Sequence, residues 1–192
     1  MRIVAGRFRG RAIASPKDDS VRPTADRVRE SLFNILEHGI EGLSLQGARV
    51  IDLFAGTGAL GLEALSRGAS FCLFVEEQVE ARAVIRSNID ALQLTGATRI
   101  FRRDATDLGP AAPIAPFRLA FLDPPYGKGL GERALVSLAA GGWLVPGAIA
   151  VLEERESAAI ELPARFTELD RRSYGDTQIL IARFAPSPAR SA

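Results

Sequence analysis

Residues 50–65 read Val50-Ile-Asp-Leu-Phe-Ala-Gly-Thr-Gly-Ala-Leu-Gly-Leu-Glu-Ala-Leu65. An apolar strand runs into a glycine-rich turn, and a helix opens with apolar residues at Leu60, Leu62, Ala64 and Leu65. Gly56, Gly58 and Gly61 satisfy the G-x-G-x-x-G spacing of dinucleotide-binding turns, and Glu76 stands 20 residues after Gly56. On spacing alone a nicotinamide or flavin enzyme is one reading. Asp52 argues against it, because a carboxylate at the strand end would repel a pyrophosphate at the helix N-terminus. It would instead attract a cationic ligand, such as the amino group of S-adenosylmethionine.

Downstream, the apolar run Phe117-Arg-Leu-Ala-Phe-Leu122 ends in Asp123-Pro-Pro-Tyr126. Two consecutive prolines fix φ and remove backbone donors, so the groups left to meet a ligand are acceptors. An amine could donate its hydrogens to Asp123 and the Pro124 carbonyl while the Tyr126 ring stacks on the face of a base. An ordinary Pro-rich turn would use the same residue types. The order Asp52, glycine turn, Glu76, Asp-Pro-Pro-Tyr is much more specific than any one of its parts.

Around these motifs strand-like and helix-like stretches alternate, which indicates a parallel sheet flanked by helices. Strands are expected at Arg49–Phe54, Phe71–Glu76, Thr98–Arg103, Arg118–Leu122 and Ala148–Leu152. Helices are expected at Ala59–Arg67, Val79–Leu92 and Glu132–Leu138. Phe166–Ser173 and Thr177–Phe184, joined at Tyr174-Gly175-Asp176, read as a β-hairpin. The fold class is therefore α/β and Rossmann-like: a mainly parallel seven-stranded sheet with a C-terminal antiparallel hairpin, the layout of class I S-adenosylmethionine-dependent methyltransferases. Before the sheet, Met1–Arg11 could form a short hairpin turned at Gly6 or Gly10, and residues 15–24 read as a mobile loop. Thr24 or Asp26 could cap a helix running through Val28, Leu32, Phe33, Ile35 and Leu36, expected to lie against the sheet near the cofactor pocket. Three segments follow: a basic hairpin, loop and helix over 1–36, a core over 37–184 and a disordered tail over 185–192.

The 192 residues fit one domain with a sizeable core. No apolar run reaches the roughly 20 residues of a membrane helix, and Met1-Arg-Ile-Val-Ala lacks a signal-peptide core. One cysteine excludes an internal disulfide and suits a reducing, cytoplasmic compartment. Cys72 is expected in a buried strand and His38 at the surface. One cysteine and one histidine build no zinc site of the usual kinds, so no metal is expected. The net charge of +1 hides an asymmetry. Residues 1–30 carry eight basic against four acidic groups, net +4, and the remainder is net −3. A basic arm on a slightly acidic body suggests a polyanion bound at one edge, although such an arm could simply be solvated.

Together these residues resemble the bacterial 16S rRNA guanine-N2 methyltransferases of the RsmD family. The resemblance is carried by Arg2-Ile-Val-Ala-Gly-Arg-Phe-Arg-Gly-Arg11, by Arg22-Pro-Thr-Ala-Asp-Arg-Val-Arg-Glu-Ser-Leu-Phe-Asn-Ile-Leu36, and by Asp52–Gly61 with Asp123–Tyr126. It spans Arg2 to about Phe184. Ala25 stands where a second Thr is expected, and both the Gly109–Pro116 loop and the tail lie outside it. The resemblance implies methyl transfer from S-adenosyl-L-methionine to N2 of a guanine, named 966 in the family, in the small ribosomal subunit. Cofactor contacts would come from Asp52, Phe54, Gly56, Thr57, Gly58, Glu76 (ribose hydroxyls), Asp104 (adenine amine) and Ala105. Glu77 competes with Glu76 for that role, and Arg102 and Arg103 could pair with Asp104 instead. Asp123, Pro124, Pro125 and Tyr126 would form the catalytic corner. Arg7, Arg9, Arg11, Arg22, Arg27 and Arg29 would hold RNA, with Arg27 and Arg29 alternatively closing over the cofactor. A monomer suits docking on a large particle.

The sequence leaves two other functions open. Adenine N6 is also an exocyclic amine, so a DNA adenine-N6 methyltransferase fits Asp-Pro-Pro-Tyr, although 192 residues leave little room for a target-recognition domain. A non-catalytic RNA-binding or ribosome-assembly module could keep the fold without the chemistry.

Overall fold

The computed structural model describes residues 1–15 and 23–185, the side chains of 23–25 excepted. Arg22, most of the loop expected over 15–24 and, apart from Ala185, the expected tail lie outside the described residues. The sheet has seven strands in the order β3-β2-β1-β4-β5-β7-β6. The chain divides into two compact units, Met1–Ala105 and Thr106–Ala192.

In the first unit, β1 (Arg49–Leu53), β2 (Phe71–Val75) and β3 (Thr98–Phe101) pair in parallel, with Asp52 beside Phe74 and Leu53 beside Val75. The first two strands are buried after their opening residue, as strands covered on both faces must be; β2 reads as an unbroken apolar run and β1 is interrupted only by Asp52. Cys72 is buried in β2, as expected. Helix α2 (Ala59–Ser66) joins β1 to β2, and α3 (Val79–Ala91) joins β2 to β3. Helix α1 (Pro23–His38) buries Leu32, Phe33 and Leu36 on one face, while His38 is exposed.

Gly61 sets how closely α2 can lie on β2. A Cβ there would stand 2.5 Å from both Cys72 Sγ and the Phe74 ring. The third glycine of the turn is thus a packing requirement.

The arm reverses on itself as expected. Ile3 N–H donates to Arg11 O at 3.0 Å, Gly10 N–H to Ile3 O at 2.9 Å, and a bridge pairs Arg2 with Ala12. Gly6 adopts φ +78, and a Cβ on it would fall 2.0 Å from the Ser66 carbonyl oxygen, so the arm's backbone lies directly on α2.

The second unit holds β4 (Phe117–Leu122), α4 (Leu130–Ala140), β5 (Leu144–Arg155), β6 (Phe166–Tyr174) and β7 (Thr177–Phe184). Strands β4 and β5 are parallel, while β7 is antiparallel to both β5 and β6, so the C-terminal hairpin stands where the sequence put it. Strand β5 is much longer than the expected Ala148–Leu152. Its register jumps from Phe117–Leu144 to Leu119–Ile149, and the extra residues around Pro146 and Gly147 (φ +76) form a bulge. Proline and glycine are tolerated at such a bulge, which is why the strand reads as broken. Trp143, buried, donates to Gly109 O at 2.8 Å and stacks on Phe117 with centroids 6.2 Å apart.

Among the described residues no helix is long and apolar enough to cross a membrane. The tight seat of Gly61 yields a first test. Gly61→Ala should lower the unfolding free energy by about 1–3 kcal/mol through overpacking, read from the urea midpoint at unchanged slope.

Candidate active site

Asp52, Glu76, Asp104 and Asp123 each stand at or just beyond the carboxyl end of a strand, where α/β sheets bind ligands. Asp52 is the fourth residue of β1 and is 2% exposed. Its Oδ2 accepts the Gly61 N–H at 2.9 Å. That bond ties the strand end to the first turn of α2. Burial pushes the Asp52 carboxyl up to about 8; the Gly61 N–H opposes this and the nearby Glu76 charge adds to it.

Between Asp52 and Gly61 the backbone is tightly bent. Phe54, a non-glycine residue, sits at φ +56, a left-handed conformation that costs roughly 1–3 kcal/mol and persists only where the surrounding structure over-determines it. Gly56 (φ +54) has only the Phe54 carbonyl oxygen, at 3.9 Å, within reach of a Cβ, so its backbone is approachable. Gly58 (φ +78) backs onto the Phe74 ring, 3.1 Å from where a Cβ would be. Glu76 follows β2, and its two oxygens take the Gly56 N–H at 2.9 Å and the Gln78 N–H at 2.8 Å. The turn and the acid that the sequence places 20 residues apart are therefore in direct contact. Asp104 is exposed and Ala105 buried, both just past β3. Asp52, Gly56, Gly58 and Glu76 thus lie together, two carboxyl groups beside an open glycine backbone, a lining that fits a ligand carrying an ammonium group and a ribose better than one carrying a pyrophosphate.

In the second unit Asp123 and Pro125 are exposed, and Pro124 is buried against the end of β4. Tyr126 is half-buried, and its hydroxyl donates to Glu153 Oε1 at 2.5 Å and meets Thr177 Oγ1 at 3.2 Å. Burial and the neighbouring Glu153 push the phenol up, so Tyr126 stays protonated. Burial also pushes the Glu153 carboxyl up, partly offset by the bond from Tyr126. Gly127 N–H is held by Glu154 at 3.1 Å, so both acids of β5 fix this corner. Glu153, Glu154 and Thr177 were not singled out from sequence, because their partners lie 27 or more residues away.

The arginines separate into two kinds. Arg7, Arg9, Arg11 and Arg27 are exposed. Arg7 lies over the Phe8 ring at 4.4 Å, and Arg11 donates to Ala91 O at 2.8 Å. Arg29 is 5% exposed and is held by Asp26 at 2.7 Å, by Glu63 at 3.6 Å and by the Arg2 carbonyl. Its guanidinium anchors the arm and is turned away from solvent. Among the described residues no group of three or more His, Cys, Asp or Glu could hold a metal ion.

A mainly parallel sheet of this order, with a glycine turn after β1, an acid after β2 and Asp-Pro-Pro-Tyr after β4, defines a Rossmann-like methyltransferase. Residues 1–183 match the model of the family described as Conserved hypothetical protein 95, the RsmD family, and the chain belongs to it. It is 36% identical over 168 residues to Ribosomal RNA small subunit methyltransferase D of Escherichia coli K12, covering 87% of this chain and 81% of that protein. YlbH of Bacillus subtilis, a candidate rRNA methyltransferase, is 37% identical over 188 residues, 94% and 97% of the two chains. The solved structure of yhhF from Escherichia coli, a candidate methyltransferase, superposes with TM-score 0.81 at 29% identity over 96% of this chain and 98% of that one.

The raised Asp52 carboxyl makes a pH prediction. Its folded value lies above its ordinary one, so folding takes up a proton; the stabilisation is full below about pH 4 and declines as pH rises towards 8. Asp52→Asn, which keeps an acceptor for Gly61, should flatten that decline in unfolding midpoints measured across pH 4–8.

Proposed function

We propose that this protein methylates the exocyclic N2 of a guanine in 16S rRNA, using S-adenosyl-L-methionine, within the assembling or assembled small subunit. The observation that carries the reading is the Asp123–Tyr126 corner, an acceptor pair beside an aromatic ring locked by Glu153 and Thr177. It occurs in a chain whose relatives include ribosomal RNA small subunit methyltransferase D. When bound, the cofactor supplies an electrophilic methyl on a sulfonium. Asp52 and the Gly56–Gly58 turn would hold its methionine end, Glu76 its ribose, and Asp104 with Ala105 its adenine; Phe54 and Thr57 shape the turn.

Guanine N2 is a poor nucleophile because its lone pair is delocalised into the ring. Asp123 and the Pro124 carbonyl would accept the amine hydrogens and so direct the lone pair at the methyl. Such positioning can account for roughly 7–11 kcal/mol of barrier lowering. Asp123 orients, and the proton is lost to solvent after transfer. Withdrawing the base from its stack costs a few kcal/mol, and stacking on Tyr126 returns about 1–3 kcal/mol. The exposed Arg7, Arg9, Arg11 and Arg27 would hold RNA phosphates, and the protein would act as a monomer in the cytoplasm. Arg22 belongs to the same basic set by sequence. Arg29 does not, since its guanidinium is buried.

Labelled methyl transfer to small subunits lacking the modification, free 16S rRNA and duplex DNA tests this directly. N2-methylguanosine from the subunit and none from DNA is expected; N6-methyladenine from DNA would replace the substrate and keep the pocket chemistry. Asp123→Ala should lower kcat about 100-fold or more while S-adenosylhomocysteine binding changes only a few fold; undiminished turnover removes the orienting role. Reversing the charge of Arg7 and Arg9 should flatten the slope of log affinity against log salt by about 0.7–0.9 for each phosphate no longer neutralised.

A further inference from the structure

The arm that carries the exposed arginines is bonded to α2, which follows the glycine turn, and to α3, which reaches the turn through Asn88. Glu63, fully buried on α2, takes the Val4 and Ala5 N–H groups at 2.8 and 2.9 Å, and Ser66 Oγ accepts the Phe8 N–H at 3.0 Å. At its far end the arm meets Asn88, which is 1% exposed on α3. Asn88 Oδ1 accepts the Ala14 N–H at 2.7 Å, and Nδ2 donates to Ala14 O at 3.1 Å. The same Nδ2 donates to the Thr57 carbonyl at 3.0 Å, in the middle of the glycine turn. One buried amide therefore holds the arm with one hand and the turn with the other. Three of its four hydrogen-bonding valences are spent on backbone groups 31 and 74 residues away. Met1 Sδ, on the paired strand of the arm, lies 4.0 Å from Thr57 Oγ1.

We propose that Asn88 is a positioning residue that couples the basic arm to the glycine turn, so that RNA and cofactor bind cooperatively. The inference rests on the methyl-transfer reading above. RNA that fixes the arm orders Ala14, and through Asn88 orders the Thr57 carbonyl and the flanking Gly56 and Gly58. A cofactor arriving at an ordered turn loses less conformational freedom, and by linkage it tightens RNA binding by the same factor.

Equilibrium dialysis of labelled S-adenosylhomocysteine with and without saturating small subunits tests the coupling. In the wild-type protein the subunits should tighten binding roughly fivefold or more. In Asn88→Ala the ratio should fall towards one while subunit binding through the arginines persists. Ala14→Pro, at an exposed position, removes the Ala14 N–H, restrains Ile13 to extended backbone and should lower the ratio. A wild-type ratio near one, or a ratio undiminished in both variants, overturns the proposal. Failure of subunits to bind would instead sink the rRNA reading, and the coupling is then read without RNA. S-adenosylhomocysteine should slow tryptic cleavage at Arg7, Arg9 and Arg11 in the wild type and not in Asn88→Ala; equal rates in both overturn it.

Discussion

The bond from the Gly61 N–H to the Asp52 carboxyl closes the chain from strand to helix within nine residues, and much of the first unit follows from it. With that distance fixed, only glycine fits at position 61 against Cys72 and Phe74, and the residues between must turn sharply enough to put Phe54 in a left-handed conformation. The bend leaves the Gly56 N–H pointing outward, where Glu76 takes it. Seating α2 on β2 in turn presents Glu63 and Ser66 to the arm. A loosened Asp52–Gly61 closure would be felt at each of these points, because they share one short stretch of backbone.

The buried charge around Glu63 extends the same logic. Its carboxylate faces Arg67 at 2.8 Å and Arg29 at 3.6 Å and accepts two backbone N–H groups. Arg67 reaches on to Glu37 at 2.7 Å and lies over the Phe33 ring at 4.9 Å. A carboxylate without solvent is tolerable only when its lone pairs are filled, as here. Removing one member of such a cluster would leave a buried charge unpaired, so it ties α1, α2 and the arm to one arrangement.

Much of the fold was legible because its signals are local. Mostly apolar runs, broken only by Asp52 in β1 and Arg118 in β4, give β1, β2 and β4, the glycine spacing gives the turn, and alternation around Tyr174-Gly175-Asp176 gives the hairpin. Strand β5 was half-read, since Pro146 and Gly147 are punctuation in sequence and a bulge in space. The arm's doubling-back was visible at Gly6 and Gly10. Its anchors were not, because Glu63 sits among Leu62, Ala64 and Leu65 as if it were the helix's wet side. Asn88 gave no sign at all, since an amide on an amphipathic helix has no pattern that reveals a partner 74 residues away. Arg29 was misjudged for the same reason: in sequence it is one more cation in a basic segment, and only burial separates it from Arg27.

The docking of the arm also fixes an order of events during synthesis. Its hydrogen-bond partners on α2 and α3 lie 58 to 80 residues further along the chain. The arm is therefore made well before anything on α2 or α3 exists for it to bind. Contacts this distant in sequence form late, after the local strand–turn–helix units have condensed. The residues made early in the chain are thus among the last to fold. Ile3 and Ile13, buried in the finished protein, belong to that late-docking arm.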